Sequence, residues 1–299
     1  MMLFQKKSKK SKSQLEFGIE SPTTPDRNFA EGGRSFYFFD FDDNVMNLPT
    51  LLFLFHTETG DEKAISTREF SLISHELGKL GFWKDYEIRL DEQTGTFRRF
   101  RHHHFNLWER IKGKKQPLVE DLVKIIKENE QLWKGPSWNF FWHAVHNSRP
   151  LSIITARGHR PQTIKEAIEI LLLHRHISRR PNYLSVYPVS NSDIRVQLGD
   201  SNKTWHTAKL KQEAIKFSVH EAFKVYGQNP HHRFGMSDDD PVNIKLIVDA
   251  MQDLKKTYPE NSFFVIDTHK GQLSKREIVK EGVQSPQALA GRQLNLFND

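Results

Sequence analysis

Short apolar runs recur along the middle of the chain and alternate with longer segments in which apolar residues lie three or four positions apart. The short runs have the length of buried strands, and the longer segments, for example 160–175 and 207–227, have the periodicity of helices. Strands that alternate with helices predict an α/β fold in which helices cover both faces of a mostly parallel sheet. Buried strands are predicted over 35–39, 151–155, 183–189, 232–237 and 262–266.

The segment 46–148, which joins the first predicted strand to the second, has a different pattern. Its first part predicts a β-hairpin that turns at residues 59–61, a short helix over 69–82 and a second hairpin that turns at residues 94–95. An amphipathic helix is predicted over 117–133. We expect this insert to lie over the core as a lid.

Both ends of the chain are polar and lack periodicity. Residues 1–33 are rich in Lys, Ser, Pro and Gly, which predicts a disordered basic tail that either contacts nucleic acid or stays solvated. Residues 271–299 form a second predicted tail, with a short helix over 274–283. The core is therefore expected in 34–45 and 149–270.

The composition of the chain limits the possible metal ligands, the partners and the cellular compartment. The chain has no cysteine, so any metal must be held by oxygen or imidazole ligands. A net charge of +7 favours phosphate-bearing partners, although part of the excess lies in the N-terminal tail. No apolar run reaches the roughly 18 residues that a membrane span requires, and the N-terminus lacks the apolar segment of a signal peptide. A cytoplasmic protein without a membrane partner is expected.

Acidic residues directly follow the first predicted strand. Asp40 and Asp42 would point the same way if the strand continued, because side chains alternate along a strand. Two carboxylates on one side repel each other unless a proton or a cation lies between them, and a hard divalent ion such as Mg²⁺ suits oxygen ligands. The alternative is a helix N-terminus that is rich in acids.

A second acidic group follows the strand predicted over 232–237, where Asp238, Asp239 and Asp240 are consecutive. One of them suits the N-cap of the next helix, with Pro241 at its first position. Three carboxylates exceed what a cap requires, so a cation site is also predicted here. Which of the three would contact a cation stays open.

Two single residues extend these candidates. Thr155 ends the strand over 151–155, and its hydroxyl together with backbone N–H groups of residues 157–159 could hold a phosphate, or it could be an ordinary strand-end or N-cap threonine. Lys211 lies in the apolar stripe of the helix over 207–227, whereas Lys209 points away from it. A lysine in such a stripe either extends to water or meets a buried anion.

The stretches "FFDFDDN" and "SIITARG", a lysine and "GMSDDDPVN" follow one another along the chain, mostly at strand ends. In this combination they resemble the haloacid dehalogenase (HAD) superfamily of phosphohydrolases, over residues 34–45 and 149–270. The resemblance implies a three-layer, Rossmann-like core with a mostly parallel sheet. It also implies that the insert over 46–148 is an α+β cap that closes over the substrate.

Carried over to this chain, the resemblance makes Asp40 the nucleophile that forms an aspartyl-phosphate and Asp42 the general acid and base. Thr155 would supply the phosphate-binding hydroxyl, and Lys211 would neutralise the nucleophile and the phosphate. The implied ligands of Mg²⁺ are Asp40, the carbonyl of Asp42, Asp238 and Asp239.

The activity that the resemblance implies is Mg²⁺-dependent hydrolysis of a phosphomonoester, which could be a metabolite, a nucleotide or a nucleic-acid end. The chain departs from the family where Asn44 replaces the usual Thr or Val, and where the late acidic motif is shifted. These departures motivate the alternative, a non-catalytic adaptor that keeps the HAD fold and is tethered to a DNA sliding clamp.

Two further stretches concern partners. The segment over 95–108 mixes arginines, histidines and aromatics, and is either a basic stacking surface for nucleic acid or an ordinary cap segment. The C-terminal "RQLNLFND" resembles the peptide by which bacterial DNA polymerases and repair proteins bind the sliding clamp, or it packs on its own core. The matching residues are Gln293, Leu294, Leu296 and Phe297.

Overall fold

The computed structural model describes residues 22–269, 273–280 and 282–288. The strands are β1 (Ser35–Phe39), β2 (Leu51–His56), β3 (Glu62–Ser66), β4 (Tyr86–Glu87), β5 (Pro150–Thr155), β6 (Asn182–Pro188), β7 (Arg233–Asp238), β8 (Ser262–Asp267), β9 (Ser274–Val279), β10 (Gly282–Val283) and β11 (Gln287–Ala288). The α-helices are α1 (Thr67–Ile73), α2 (Leu107–Ile111), α3 (Pro117–Ile125), α4 (Glu130–Trp133), α5 (Trp138–His146), α6 (Pro161–Leu173), α7 (Ser192–Gln197), α8 (Thr207–Tyr226) and α9 (Pro241–Thr257).

The central sheet has the strand order β10-β9-β8-β7-β1-β5-β6, and β11 also pairs with β9. The five strands from β8 to β6 in that order run parallel, and β9 to β11 add an antiparallel edge. The five parallel strands are those that the sequence predicts, and their bounds differ from the predicted ones by at most one residue. The prediction of an α/β fold with a mostly parallel sheet is therefore confirmed.

Side chains of β1 serve two hydrophobic cores, one on each face of the sheet. Phe36 and Phe38 pack into the core that faces α8 and α9, whereas Tyr37 and Phe39 pack into the core that faces α3, α5 and α6. The alternation follows from the period of two along a strand. A run of four consecutive aromatic residues is thus the signature of a strand with helices on both sides.

The order of the strands creates a switch point beside β1. The chain passes from β1 to β5 and β6 on one side, and then returns across β1 to β7 and β8 on the other. Ligands of open α/β sheets bind outside the carboxyl ends of the strands at such a point. Phe39 is in register with Ser237, so the residues that follow β1 and end β7 lie side by side.

The insert contains two parts that pack differently. Its first part holds the antiparallel sheet β3-β2-β4 and has a small core of its own around Leu52, Leu54, Ile65 and Phe100. Its second part, α3 to α5, packs into the same core as β1 and β5. Only the first part is thus a separate layer beside the central sheet.

Three local predictions in the insert had different outcomes. The hairpin over residues 51–66 is confirmed by the pairing of β2 with β3. The second hairpin is wrong, because Asp91 accepts hydrogen bonds from the backbone of residues 93 and 94 and closes a turn, after which residues 98–100 form a 3-10 helix. The helix predicted over 117–133 is divided into α3 and α4, and Asn129 caps the second.

The predictions for the two ends are corrected in part. Thr24 and Asp26 lie within the predicted N-terminal tail, yet Asp26 is buried, forms an ion pair with Arg149 (2.8 Å) and accepts a hydrogen bond from the backbone of Ser35. The helix predicted over 274–283 is wrong, because that segment pairs with β8 as β9 and continues into β10. Within the described residues no helix is both long and apolar enough to cross a membrane.

Candidate active site

The carboxyl ends of β1 and β7 bring Asp40 and Asp238 together. The backbone N–H of Asp40 donates to the carbonyl of Ser237 (3.0 Å), which continues the parallel pairing one residue past β1. Both carboxyl groups are buried. Carboxylates that the sequence places early and late in the chain therefore share one end of the sheet.

The ammonium group of Lys211 lies between these two carboxylates. Its Nζ is 3.0 Å from Oδ1 of Asp40 and donates to Oδ2 of Asp238 at 2.8 Å. Lys211 is almost fully buried on α8, so it meets buried anions and does not extend to water. The nearby Lys209 instead pairs with Glu213 at 2.6 Å, and Lys211 is therefore the lysine that faces the site.

Asp239 completes a group of three carboxylates. One oxygen each from Asp40, Asp238 and Asp239 lies within 4.8 Å of the other two. Burial raises the pKa of Asp40 well above its ordinary value, and the Lys211 ammonium only partly opposes this. Burial, helped by the charge of Asp238, raises the pKa of Asp239 to about 7. When all three carboxyl groups are ionised, they carry more negative charge than Lys211 alone balances.

The third acid of the late motif has a different role. Asp240 is exposed and its carboxylate accepts a hydrogen bond from the backbone of Val242 (2.9 Å), as the N-cap of α9. Its own N–H donates to Oδ1 of Asp238 at 3.0 Å, and the amide of Asn243 donates to the same carboxylate. The predicted cap therefore falls on Asp240, and Asp238 and Asp239 remain the candidates for the cation site.

Asp42 lies on the other side of the site, against the loop that follows β5. Its carboxylate accepts hydrogen bonds from Nε (2.9 Å) and Nη2 (2.6 Å) of Arg157, and from the hydroxyl of Thr155 at 3.1 Å. Residues 41–46 form a turn, so the alternative of a helix N-terminus at the acidic run does not apply. The four residues predicted as catalytic, Asp40, Asp42, Thr155 and Lys211, are thus brought to one place.

Two backbone N–H groups of the predicted phosphate cradle, those of Arg157 and Gly158, already have hydrogen-bond partners within the protein. Thr155 is buried and directed at Asp42, and it does not cap α6, whose N-cap is Arg160. The N–H of Arg157 donates to the hydroxyl of Thr155, and the N–H of Gly158 donates to the carbonyl of Phe100 in the insert. The turn after β5 is therefore closed by contacts of its own and by the insert.

Asn44 connects β1 to β7. Its amide nitrogen donates to the carbonyls of Asp40 and Ser237 and lies 2.9 Å from the hydroxyl of Ser237. Its amide oxygen accepts from the hydroxyls of Ser137 (2.8 Å) and Thr268 (2.9 Å). A fully buried side chain with this many partners fixes the turn after β1 against β7.

The contacts of the Arg157 side chain, and the residues that hold it, are not predicted from the sequence. Arg157 is fully buried, its Nη2 also donates to the hydroxyl of Thr50 (2.8 Å), and its guanidinium carbon is 4.5 Å from the ring centre of Phe100. Thr50 in turn donates to Asp121 at 2.8 Å. Arg157 belongs to the stretch "TARG", which the sequence already marks as a candidate, but the residues that hold its side chain lie in the insert, far away in sequence.

The donor set fits a hard divalent cation. It consists of carboxylate oxygens without sulfur or imidazole, which is the chemistry that Mg²⁺ prefers. Four carboxylates, those of Asp40, Asp42, Asp238 and Asp239, face the two cations Lys211 and Arg157. The Asp42 carboxylate lies outside the group of three, so only its backbone carbonyl stays a candidate ligand.

Several arginines of the segment over 95–108 form ion pairs or hydrogen bonds within the protein. Arg98 pairs with Glu62 and Arg99 pairs with Asp121, both at 2.6 Å. Arg101 is half-buried and donates to the carbonyl of Ser190 at 3.2 Å. These arginines hold the insert together and against the core. The clamp-like residues Gln293, Leu294, Leu296 and Phe297 lie outside the described residues.

Comparisons of the chain with protein-family models, with curated proteins and with solved structures found no match.

Proposed function

We propose that this chain is a Mg²⁺-dependent phosphatase of HAD type that hydrolyses a phosphomonoester through an aspartyl-phosphate on Asp40. The observation that carries the proposal is the group of Asp40, Asp238 and Asp239 around the buried ammonium of Lys211. A phosphatase of this type needs a nucleophile, a lysine and a cation site at one point. The order of the four sequence motifs, and the position of most of them at strand ends, support the same assignment.

In the first step an oxygen of Asp40 attacks phosphorus, and the bond from phosphorus to the ester oxygen breaks. Asp42 in its protonated form gives its proton to the leaving oxygen. In the second step Asp42 takes a proton from water, the water oxygen attacks phosphorus, and the bond to Asp40 breaks. Lys211 lies 3.0 Å from the nucleophile and can stabilise the transferred phosphoryl group.

The ligands proposed for Mg²⁺ are the carboxylates of Asp40, Asp238 and Asp239, together with the backbone carbonyl of Asp42. When bound there, the ion supplies positive charge where negative charge develops on the phosphoryl oxygens. The first part of the insert contacts the loop after β5 through Phe100 and Gly158, and we assign it the role of the cap. We also propose that the protein is cytoplasmic.

The substrate class stays open between small phosphorylated metabolites, nucleotides and nucleic-acid ends. The rival function, a non-catalytic adaptor bound to a sliding clamp, was motivated by Asn44 and by the shifted acidic motif. Asn44 holds β1 against β7, and the shifted motif still delivers Asp238 and Asp239 to the site. Neither feature now favours the adaptor over the phosphatase.

The test is phosphate release from an aryl phosphate and from a panel of metabolites, nucleotides and phosphorylated oligonucleotides, with and without Mg²⁺. We expect Mg²⁺-dependent turnover by the parent and a loss of at least about 10³-fold in Asp40→Asn, because the nucleophile is gone. Asp240→Asn is the matched control, since Asn also caps helices and residue 240 is exposed. Equal turnover by parent and Asp40→Asn, or none by the parent under any condition, would refute the proposal.

A further inference from the structure

Arg157 and Asp42 form an ion pair at the edge of the proposed site, and the arginine of this pair is fully buried. The guanidinium group approaches both carboxylate oxygens, at 2.6 Å from Oδ1 and 2.9 Å from Oδ2, and the Arg157 side chain is fully buried. A bidentate pair of this kind fixes the direction of a carboxylate as well as its position. A point charge such as a lysine cannot do this.

The insert determines where the guanidinium group lies. Thr50 accepts a hydrogen bond from Nη2 of Arg157, and the ring of Phe100 covers the guanidinium group. Thr50 donates onward to Asp121, which accepts a hydrogen bond from Arg99 at 2.6 Å. The support of Asp42 therefore runs through residues before β2, in the 3-10 helix over 98–100 and in α3.

Resting on the proposed function, we infer that Arg157 is a positioning residue, which holds Asp42 in the orientation for proton transfer and is itself held by the docked insert. The proton acceptor of the second step must face the attacking water, and small displacements of such a group cost much of the rate. Docking of the insert would thus complete the acid–base half of the site.

A second role for Arg157 would be direct contact with the substrate. Its Nη1 is buried and has no hydrogen-bond partner among the described residues, so one donor remains. The two roles differ in a double-mutant cycle. A residue that acts through Asp42 has no further effect once Asp42 cannot transfer protons, whereas a residue that binds substrate keeps its own effect.

The experiment compares Arg157→Met, Asp42→Asn and the double variant in steady-state hydrolysis of an aryl phosphate with Mg²⁺. We expect Arg157→Met to lower kcat by about 10²-fold with KM nearly unchanged, and the double variant to be no slower than Asp42→Asn. Arg157→Lys should recover part of kcat. Arg180→Met is the control, because Arg180 is exposed, precedes β6 at the opposite end of the sheet and pairs with Glu169, and it should keep the parent kcat.

A milder variant covers the case in which Arg157→Met does not fold. Thr50→Val keeps the shape of the side chain and removes the hydroxyl, and we expect a fall in kcat of about tenfold with Mg²⁺ affinity unchanged. Parent kcat in both Arg157→Met and Thr50→Val would overturn the inference, as would an equal effect of Arg157→Met in the parent and in Asp42→Asn. An inactive parent would instead refute the proposed function itself, and the inference with it.

Discussion

Two carboxylates that are two residues apart, Asp40 and Asp42, end up in different surroundings. Asp40 meets a lysine from α8 and acids from β7, all of which belong to the core. Asp42 meets an arginine from the loop after β5, and that arginine is held by the insert. The proposed metal side of the site is thus built by the core alone, whereas the proposed acid–base side is completed by the insert.

The largest effect should come from removing the ammonium group of Lys211, which contacts Asp40. We expect Lys211→Met to lower kcat by about 10³-fold, because charge on the phosphoryl group loses its buried counter-charge. It should also destabilise the protein, because Asp40 and Asp238 would be left buried together. Phosphate release and urea unfolding check this. Lys209→Met is the control, and an effect of similar size there would contradict the assignment of Lys211.

Substitution of Asn44, which connects β1 to β7, should have the next largest effect. Asn44→Asp keeps the oxygen that accepts from Ser137 and Thr268 but places a second oxygen against the carbonyls of Asp40 and Ser237. We expect the free energy of unfolding to fall by about 3 kcal/mol, since buried polar groups lose their partners. Urea denaturation measures it, and a change below about 0.5 kcal/mol would mean that the turn is held by other contacts.

Adjacent acids of the late motif provide a finer comparison. Asp239→Asn should weaken Mg²⁺ binding by at least about tenfold, because one charged ligand is lost. The same substitution at Asp240 should leave binding unchanged, because that side chain caps α9 and Asn caps equally well. Calorimetric titration with Mg²⁺ compares the two variants. Equal affinities would remove Asp239 from the ligand set.

The smallest effect concerns pH. The pKa of Asp239 is raised to about 7, and the pKa of Asp40 is raised as well. Ionised Asp239 binds a cation better than protonated Asp239 does, so the affinity for Mg²⁺ should rise with pH up to about 7. In Asp239→Asn, the slope of the logarithm of Mg²⁺ affinity against pH should decrease by about one, because one proton fewer is displaced. A pH-independent affinity of the parent between pH 5 and about 7 would contradict this.

The metal side could be predicted from the sequence because each of its residues carries a local signal. Asp40 and Asp238 follow apolar runs that are buried on both faces, and Lys211 lies in the apolar stripe of a long helix. Burial on both faces is the condition under which a strand shows as an unbroken apolar run. The positions of Asp40, Asp238 and Lys211 in their strands and helix therefore follow from local sequence, whereas their mutual contacts come from the fold.

The acid–base side could be predicted only in part. Asp42 and Thr155 were found, but the contact of Arg157 with Thr50 depends on how the insert docks, for which the sequence has no local signal. The same reason explains the error over residues 274–283, where pairing with β8 outweighs helix propensity. The hairpin predicted to turn at residues 94–95 is wrong because the side chain of Asp91 closes a tighter turn.

The position of β1 at the centre of the sheet has a consequence for biosynthesis. Residues 35–39 pair on one side with residues 151–153 and on the other with residues 233–237, so both neighbours emerge from the ribosome long after β1. Until then its aromatic run is an open edge that can pair with other chains. Fragments that end before residue 233 should accordingly aggregate, and the nascent chain should depend on chaperones until β7 has been translated.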